Sequence, residues 1–148
     1  MPVPPELQAA VLRKVFNYDR TLKGYRPINV LVVHGPAESS VAEELVAAFE
    51  ETGVSSSAIA PADLPRRIQD AAVVYVAAGV DAATVEVLCA ANGVLSVTGL
   101  PELVLTGKVA IAVGLRGKRH EILVHLKRLK DEKHDIAVSL LNLARVIR

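Results

Sequence analysis

The chain has 148 residues and carries 17 Lys and Arg against 16 Asp and Glu, so its formal charge is +1. Hydrophobic residues make up 51% of it, which excludes an intrinsically disordered chain and supplies material for one core. Aromatic residues make up only 3%, and this scarcity, together with the near-neutral charge, argues against a nucleic-acid-binding surface.

The first half of the chain alternates between helical and strand patterns. Residues 5–21 carry apolar side chains at helical spacing, and Gly24 and Pro27 follow as stop signals. The β-branched run 28–33 predicts a strand buried on both faces, and an amphipathic helix over 38–52 follows it. The other elements predicted here are a weaker strand at 54–60, a short helix or turn at 61–69 and a buried strand at 72–77.

The second half continues the alternation. A helix over 82–91 has Asp81 as its N-cap and Asn92-Gly93 as its terminator, and a strand at 94–97 follows. Residues 108–114 and 119–126 are predicted strands joined by a tight turn, hence an antiparallel hairpin. A closing helix is predicted over 136–147, with Asp135 as its N-cap.

This order of elements predicts a single α/β domain over residues 1–148. It has three layers, α/β/α, and a mostly parallel Rossmann-like sheet with a C-terminal antiparallel hairpin. Ligands of such folds bind at the carboxyl ends of the strands. The candidate ligand-binding residues are therefore His34, Gly35, Ser39, Ser40, Gly79, Thr98 and Gly99.

The loop 34–40 leads into a predicted helix, where free backbone amides could hold an anion. It has neither a lysine nor a G-x-G-x-x-G pattern, so the phosphate-binding and dinucleotide-binding motifs are excluded, and an ordinary strand-to-helix turn is the alternative.

Catalytic and metal-binding patterns are missing from the sequence. There is no G-x-S-x-G motif, and Cys89 falls on the apolar side of a predicted helix. His120 and His125 have odd spacing in one strand, so they point to opposite faces, and no carboxylate ends the first strand to bind magnesium. An enzyme using His34 as general base would lack an orienting carboxylate. We therefore expect no catalytic residues, no metal and no cofactor.

Basic residues concentrate in the hairpin and the segment after it. They could bind an acidic partner or approach anionic headgroups, and an ordinary solvated surface is the alternative. The candidate partner-binding residues are Arg116, Lys118, Arg119, Lys127, Arg128 and Lys130.

Several segments together resemble the YfiR family. The strand that begins at Val94-Leu95-Ser96-Val97-Thr98 is similar to a "vLtVsd" motif of the family, and the hairpin carries His120-Glu121-Ile122 in its second strand. The stretch from Ile136 to Val146, IAVSLLNLARV, resembles the family's closing "LLxLA" segment, and residues 7–22 match its opening helix in position. The departures are the single Cys89, where exported relatives often have paired cysteines, and the lack of the family's "feIN" asparagine.

The resemblance implies a non-enzymatic regulator that binds and represses a membrane diguanylate cyclase, and so lowers cyclic-di-GMP output. It also implies a periplasmic location, a homodimer and an inner-membrane protein partner, without membrane insertion of this chain. The start of the sequence has neither the basic nor the apolar region of a signal peptide, so a cytoplasmic location stays open. A small-molecule or anion sensor using the strand-end crevice is the alternative function.

Overall fold

The structure is a computed structural model, and it describes residues 3–22 and 28–148. The helices are α1 (Pro5–Asn17), α2 (Ser39–Glu51), α3 (Leu64–Arg67), α4 (Ala82–Asn92), α5 (Pro101–Leu105), α6 (Leu126–Asp131) and α7 (Val138–Leu141). The strands are β1 (Asn29–Val33), β2 (Ser55–Ile59), β3 (Val73–Val76), β4 (Leu95–Thr98), β5 (Ile111–Arg116), β6 (Arg119–His125) and β7 (Arg145–Ile147). Within the described ranges, no helix is long and apolar enough to cross a membrane.

The strands form one sheet in the order β2-β1-β3-β4-β5-β6-β7. The first five are parallel, whereas β6 runs antiparallel to β5 and β7 runs parallel to β6. The hairpin turns at Gly117, whose φ of +64° strains residues with a side chain. The predicted mostly parallel α/β sheet with its antiparallel hairpin is confirmed.

Helices cover both faces of the sheet because its central strands are apolar on both sides. On one face α1 and α2 pack together, and Phe16 stacks on Phe49 with ring centroids 6.5 Å apart. On the other face Leu64 of α3, Val85 of α4 and Val104 of α5 join a second buried cluster. The sheet therefore separates two cores.

Local capping signals are accurate around α4. The Asp81 carboxylate accepts a hydrogen bond from the Ala83 N–H at 3.1 Å, and Gly93 ends the helix with φ +64°. The first helix is shorter than predicted, because it ends at Asn17. Its predicted stop signals, Gly24 and Pro27, lie outside the described residues.

The predicted closing helix over 136–147 is wrong. This segment contains only the short α7, and residues Arg145–Ile147 form β7. Two long-range effects override the helical pattern. β6 offers an open edge that β7 fills, and Ile136 forms an antiparallel bridge with Asp19 at the end of α1.

Asp135 is not the predicted N-cap either. Ala137 precedes α7, and no side chain caps that helix. The Asp135 carboxylate instead forms an ion pair with Arg20 at 3.3 Å, and the backbone N–H of Asp135 donates to the Thr21 hydroxyl. Helices α5 and α6 were not predicted from the sequence, and they become evident only in the structure.

Candidate functional site

The order of the strands creates a switch point between β1 and β3. The chain steps from β1 to β2 on one side and then crosses to β3 on the other, so the connections diverge there. His34 and Gly35 follow β1, and Gly79 lies shortly after β3, at the same carboxyl edge of the sheet. The topology thus brings these predicted residues to the place where such folds bind ligands.

His34 is half-buried and its ring is fixed in one orientation. Its Nδ1 lies 2.8 Å from the Gly35 carbonyl oxygen, which can only accept, so Nδ1 carries the proton in that contact. In the neutral ring, Nε2 is then left as an acceptor. Ser39 and Ser40 begin α2 with exposed side chains, and no side chain caps that helix.

Thr98 and Gly99 have structural roles at the end of β4. The buried Thr98 hydroxyl donates to the Val76 carbonyl at 2.7 Å and accepts from the Leu100 N–H at 3.2 Å. A Cβ atom at Gly99 would lie 2.7 Å from Gln8 Oε1 and 2.8 Å from the Tyr75 hydroxyl. Gly99 is therefore required by the close approach of Gln8 and Tyr75.

Gln8 and Tyr75 form a buried polar contact that the sequence analysis missed. The Tyr75 hydroxyl donates to Gln8 Oε1 at 2.6 Å, and the Gln8 amide donates to the Val3 carbonyl at 2.8 Å. Burial raises the pKa of the Tyr75 phenol to about 12, so it stays protonated. A lone tyrosine in an aliphatic strand was the available signal. The first turn of α1 thus covers this part of the carboxyl edge.

The predicted basic segment is divided between the two edges of the sheet. Arg116, Lys118 and Arg119 form the exposed tip of the β5–β6 hairpin, called here the cationic tip. Thr98 of β4 pairs with Ala112, so β5 continues four residues past it to Arg116. At about 3.3 Å per residue the tip projects roughly 13 Å beyond the end of β4.

The remaining basic residues lie at the opposite edge. Lys127 and Lys130 are exposed on α6, which begins after β6 has crossed the sheet, a distance of about 20 Å from the tip. Arg128 is not a surface residue, because its side chain is only 6% exposed and its Nε donates to Glu132 Oε2 at 3.0 Å. The six predicted partner-binding residues therefore do not share one surface, and Arg128, one of the six, is buried.

Arg128 belongs to a buried polar cluster with Glu132 and Ser96. Glu132 accepts the Ser96 N–H at 2.8 Å and the Ser96 hydroxyl at 2.5 Å, and the same hydroxyl accepts the Ala110 N–H at 2.9 Å. These side chains satisfy backbone groups just before β4 and β5 begin to pair at Val97. Burial raises the pKa of Glu132, although Ser96 and Arg128 oppose the shift.

Cys89 lies in the core beside this cluster. Burial, followed by the charge of Glu132, raises the pKa of its thiol well above the usual range. A thiol that stays protonated is a poor nucleophile. Its placement agrees with the expectation of a core residue.

Asp19 and His134 form a second buried pair. His134 Nδ1 lies 2.6 Å from Asp19 Oδ2, and its Nε2 lies 2.9 Å from the Gly93 carbonyl oxygen. Burial lowers the pKa of His134, but the hydrogen bond and charge of Asp19 raise it by more, so the net shift is upward. A protonated ring donates from both nitrogens and ties the end of α1 to the end of α4.

Comparison with known proteins identifies the fold. A conserved domain protein of Vibrio cholerae superposes with a TM-score of 0.76 at 12% identity, over 98% of this chain and 60% of that one. An ABC domain of Streptococcus pneumoniae in complex with L-Trp superposes with a TM-score of 0.70 at 12% identity, over 97% and 62%. The chain thus spans about three fifths of either neighbour. No family model matches it, and no curated protein matches it significantly.

Proposed function

We propose that this chain is a non-enzymatic regulatory protein that binds a partner signalling protein through the cationic tip. The single observation that carries the proposal is the charge on that tip. Arg116 and Arg119 are direct register partners in the hairpin, and Lys118 lies between them in sequence. Within residues 3–22 and 28–148, no carboxylate forms an ion pair with any of the three.

The tip has a physical reason to bind an acidic surface. Like charges placed directly opposite each other in a hairpin destabilise it, and a partner's carboxylates remove that repulsion. Arginine can also bind a carboxylate through two parallel hydrogen bonds, which gives geometric specificity. Because the tip projects past β4, a partner can reach it without displacing the neighbouring strand loops.

The titratable groups with shifted pKa values support a non-enzymatic function. Tyr75, Cys89, Glu132 and His134 are buried, and three of them hold backbone or side-chain groups of neighbouring elements. They stabilise the fold, and none is directed at an open site by the contacts described above. The shifted pKa values of these four groups therefore follow from their burial in the fold and do not require a catalytic role.

The resemblance to the YfiR family supplies the identity of the partner in this proposal. The partner is an inner-membrane diguanylate cyclase, which the chain binds from the periplasm and represses, and the chain acts as a homodimer. The family's closing motif keeps its residues here, although they form α7 and β7 rather than one helix.

Charge reversal at the two edges of the sheet tests the proposal. The doubly substituted R116E/R119E chain should bind the purified cyclase at least tenfold more weakly and fail to lower cyclic-di-GMP in cells. The matched control is K127E/K130E, which makes the same charge change on α6, about 20 Å away. Equal loss of binding in both variants, or full binding by R116E/R119E, would reject the cationic tip as the interface.

A second candidate function is a small-molecule or anion sensor at the switch point between β1 and β3. The geometry that favours it is the half-buried His34, which follows β1 at the same carboxyl edge as Gly79 and keeps Nε2 as an acceptor in the neutral ring. The similarity in fold to a domain crystallised with L-Trp makes that amino acid a reasonable probe.

A thermal-shift screen distinguishes the two candidates. Nucleotides, organic acids and L-Trp would be added to the chain and to H34A. A ligand present at 100 times its Kd adds about 2.7 kcal/mol to the free energy of unfolding. A shift that H34A abolishes supports the sensor, and no shift across the panel rejects it.

A further inference from the structure

A pocket of about 310 Å³ lies at the amino edge of the sheet, away from both candidate sites above. Its walls come from α4, the loop before β5, the end of β6, and α6. Its volume is at the lower end of the range for small-molecule sites. The proposed partner interface does not use it.

Hydrogen-bond donors face this pocket from two side chains that the fold holds in place. His125 Nδ1 accepts the Arg128 N–H at 3.1 Å, so in the neutral ring the proton is on Nε2. Arg128 uses Nε for Glu132 and Nη2 for the Glu86 carbonyl, at 2.6 Å. Its Nη1 forms no hydrogen bond with the described residues. The Lys127 ammonium adds a second positive charge at the rim, where it lies 3.6 Å from Asp131 Oδ2.

Two carboxylates face the same space. Glu86 Oε2 lies 3.9 Å from Arg128 Nη1, and Asp131 Oδ2 lies 3.8 Å from it, both too long for a hydrogen bond. Their side chains are partly exposed, at 34% and 40%. The lining therefore carries two positive and two negative side chains together with the His125 Nε2–H donor.

Gly107 keeps the pocket open next to His125. It has φ +76°, and a Cβ atom there would lie 3.2 Å from His125 Nε2. A side chain at this position would displace the ring and cover its N–H. Thr106, just before it, donates its hydroxyl proton to the Glu102 carbonyl at 2.9 Å, so toward a ligand it can act only as an acceptor.

We propose that this pocket binds a small zwitterion of the size and charge of an amino acid. Its carboxylate binds the His125 Nε2–H and the cations Arg128 and Lys127. Its ammonium binds Glu86 and Asp131, with the Thr106 oxygen as a further acceptor. A purely anionic ligand would be repelled by the two carboxylates, and a purely cationic ligand by the arginine and lysine.

The test is a thermal-shift titration of the whole chain with each of the 20 common amino acids. Acetate and methylammonium serve as probes that carry one charge each. At 100 times its Kd, a bound amino acid should raise the Tm by about 5 °C or more. Neither single-charge probe should do so. A full shift with acetate alone, or no shift with any amino acid, would overturn the proposal.

Two variants locate the binding. H125N keeps a side chain that can cap α6 but removes the Nε2–H, and E86Q removes one negative charge. Both should weaken amino-acid binding at least tenfold while their unliganded melting curves stay cooperative. H120N is the matched control, because His120 is an exposed histidine near the other end of β6. Unchanged binding in both H125N and E86Q would place the ligand elsewhere and reject this pocket.

Discussion

Replacing Arg128 with methionine should strongly destabilise the protein, because it leaves the Glu132 carboxylate buried without its cation. Methionine keeps most of the apolar volume, so the effect reports mainly the charge. Breaking a buried ion pair by removing one partner costs about 3–5 kcal/mol. The Arg128 hydrogen bonds to Glu132 and to the Glu86 carbonyl are lost in the same step.

The magnitude is large relative to the stability of a domain this size. Small proteins unfold with a free energy of about 5–15 kcal/mol, so R128M should remove a substantial fraction of it. With about 2–4 °C of Tm per kcal/mol, the midpoint should fall by roughly 6–20 °C. The neighbouring K127A variant is the control. It removes the ion pair between Lys127 and Asp131, whose lysine side chain is 79% exposed, and such a surface pair should contribute less than about 1 kcal/mol.

A double-mutant cycle with E132Q tests the cause. Glutamine keeps an oxygen for the Ser96 N–H but carries no charge, so Arg128 no longer has a buried anion to neutralise. In the E132Q background, R128M should cost about 2 kcal/mol less than in the native chain, as measured by urea unfolding. An equal cost in both backgrounds would refute the buried ion pair as the source of the effect.

Three further predictions follow from the buried contacts. The pKa of His134 is raised in the folded state, so the stabilisation from its pair with Asp19 is fully present below about pH 6.5, the unfolded-state pKa. This stabilisation is lost as the pH rises through the folded-state pKa, and H134Q should abolish the pH dependence in urea unfolding. G99A should cost about 1–3 kcal/mol by displacing Gln8, and Q8A should relieve part of that cost, whereas strictly additive effects would argue against the clash. F49A removes a fully buried ring and should cost about 3–5 kcal/mol by the same assay, so a change below 1 kcal/mol would contradict the stacked core.

The sequence predicted those parts of the fold that local patterns control. The β-branched run within Asn29–Val33 predicts a strand buried on both faces. Asp81 and Gly93 mark the ends of α4 through hydrogen bonds within a few residues. The alternation of such elements is sufficient for a mostly parallel sheet with covering helices. The same alternation predicted that His34 and Gly79 lie at the carboxyl edge of the sheet, and both follow parallel strands at that edge in the structure.

The tertiary structure decided everything that depends on distant partners. Residues Arg145–Ile147 fit a helical pattern, yet they form β7, because the open edge of β6 supplies hydrogen bonds that no local pattern reveals. Arg128 looks like its exposed basic neighbours, but it is buried because Glu132 and Glu86 surround it. The sequence alone therefore determines which segments are apolar and periodic. The packed fold determines which strand edge is open for pairing and which charged side chain is buried against an opposite charge.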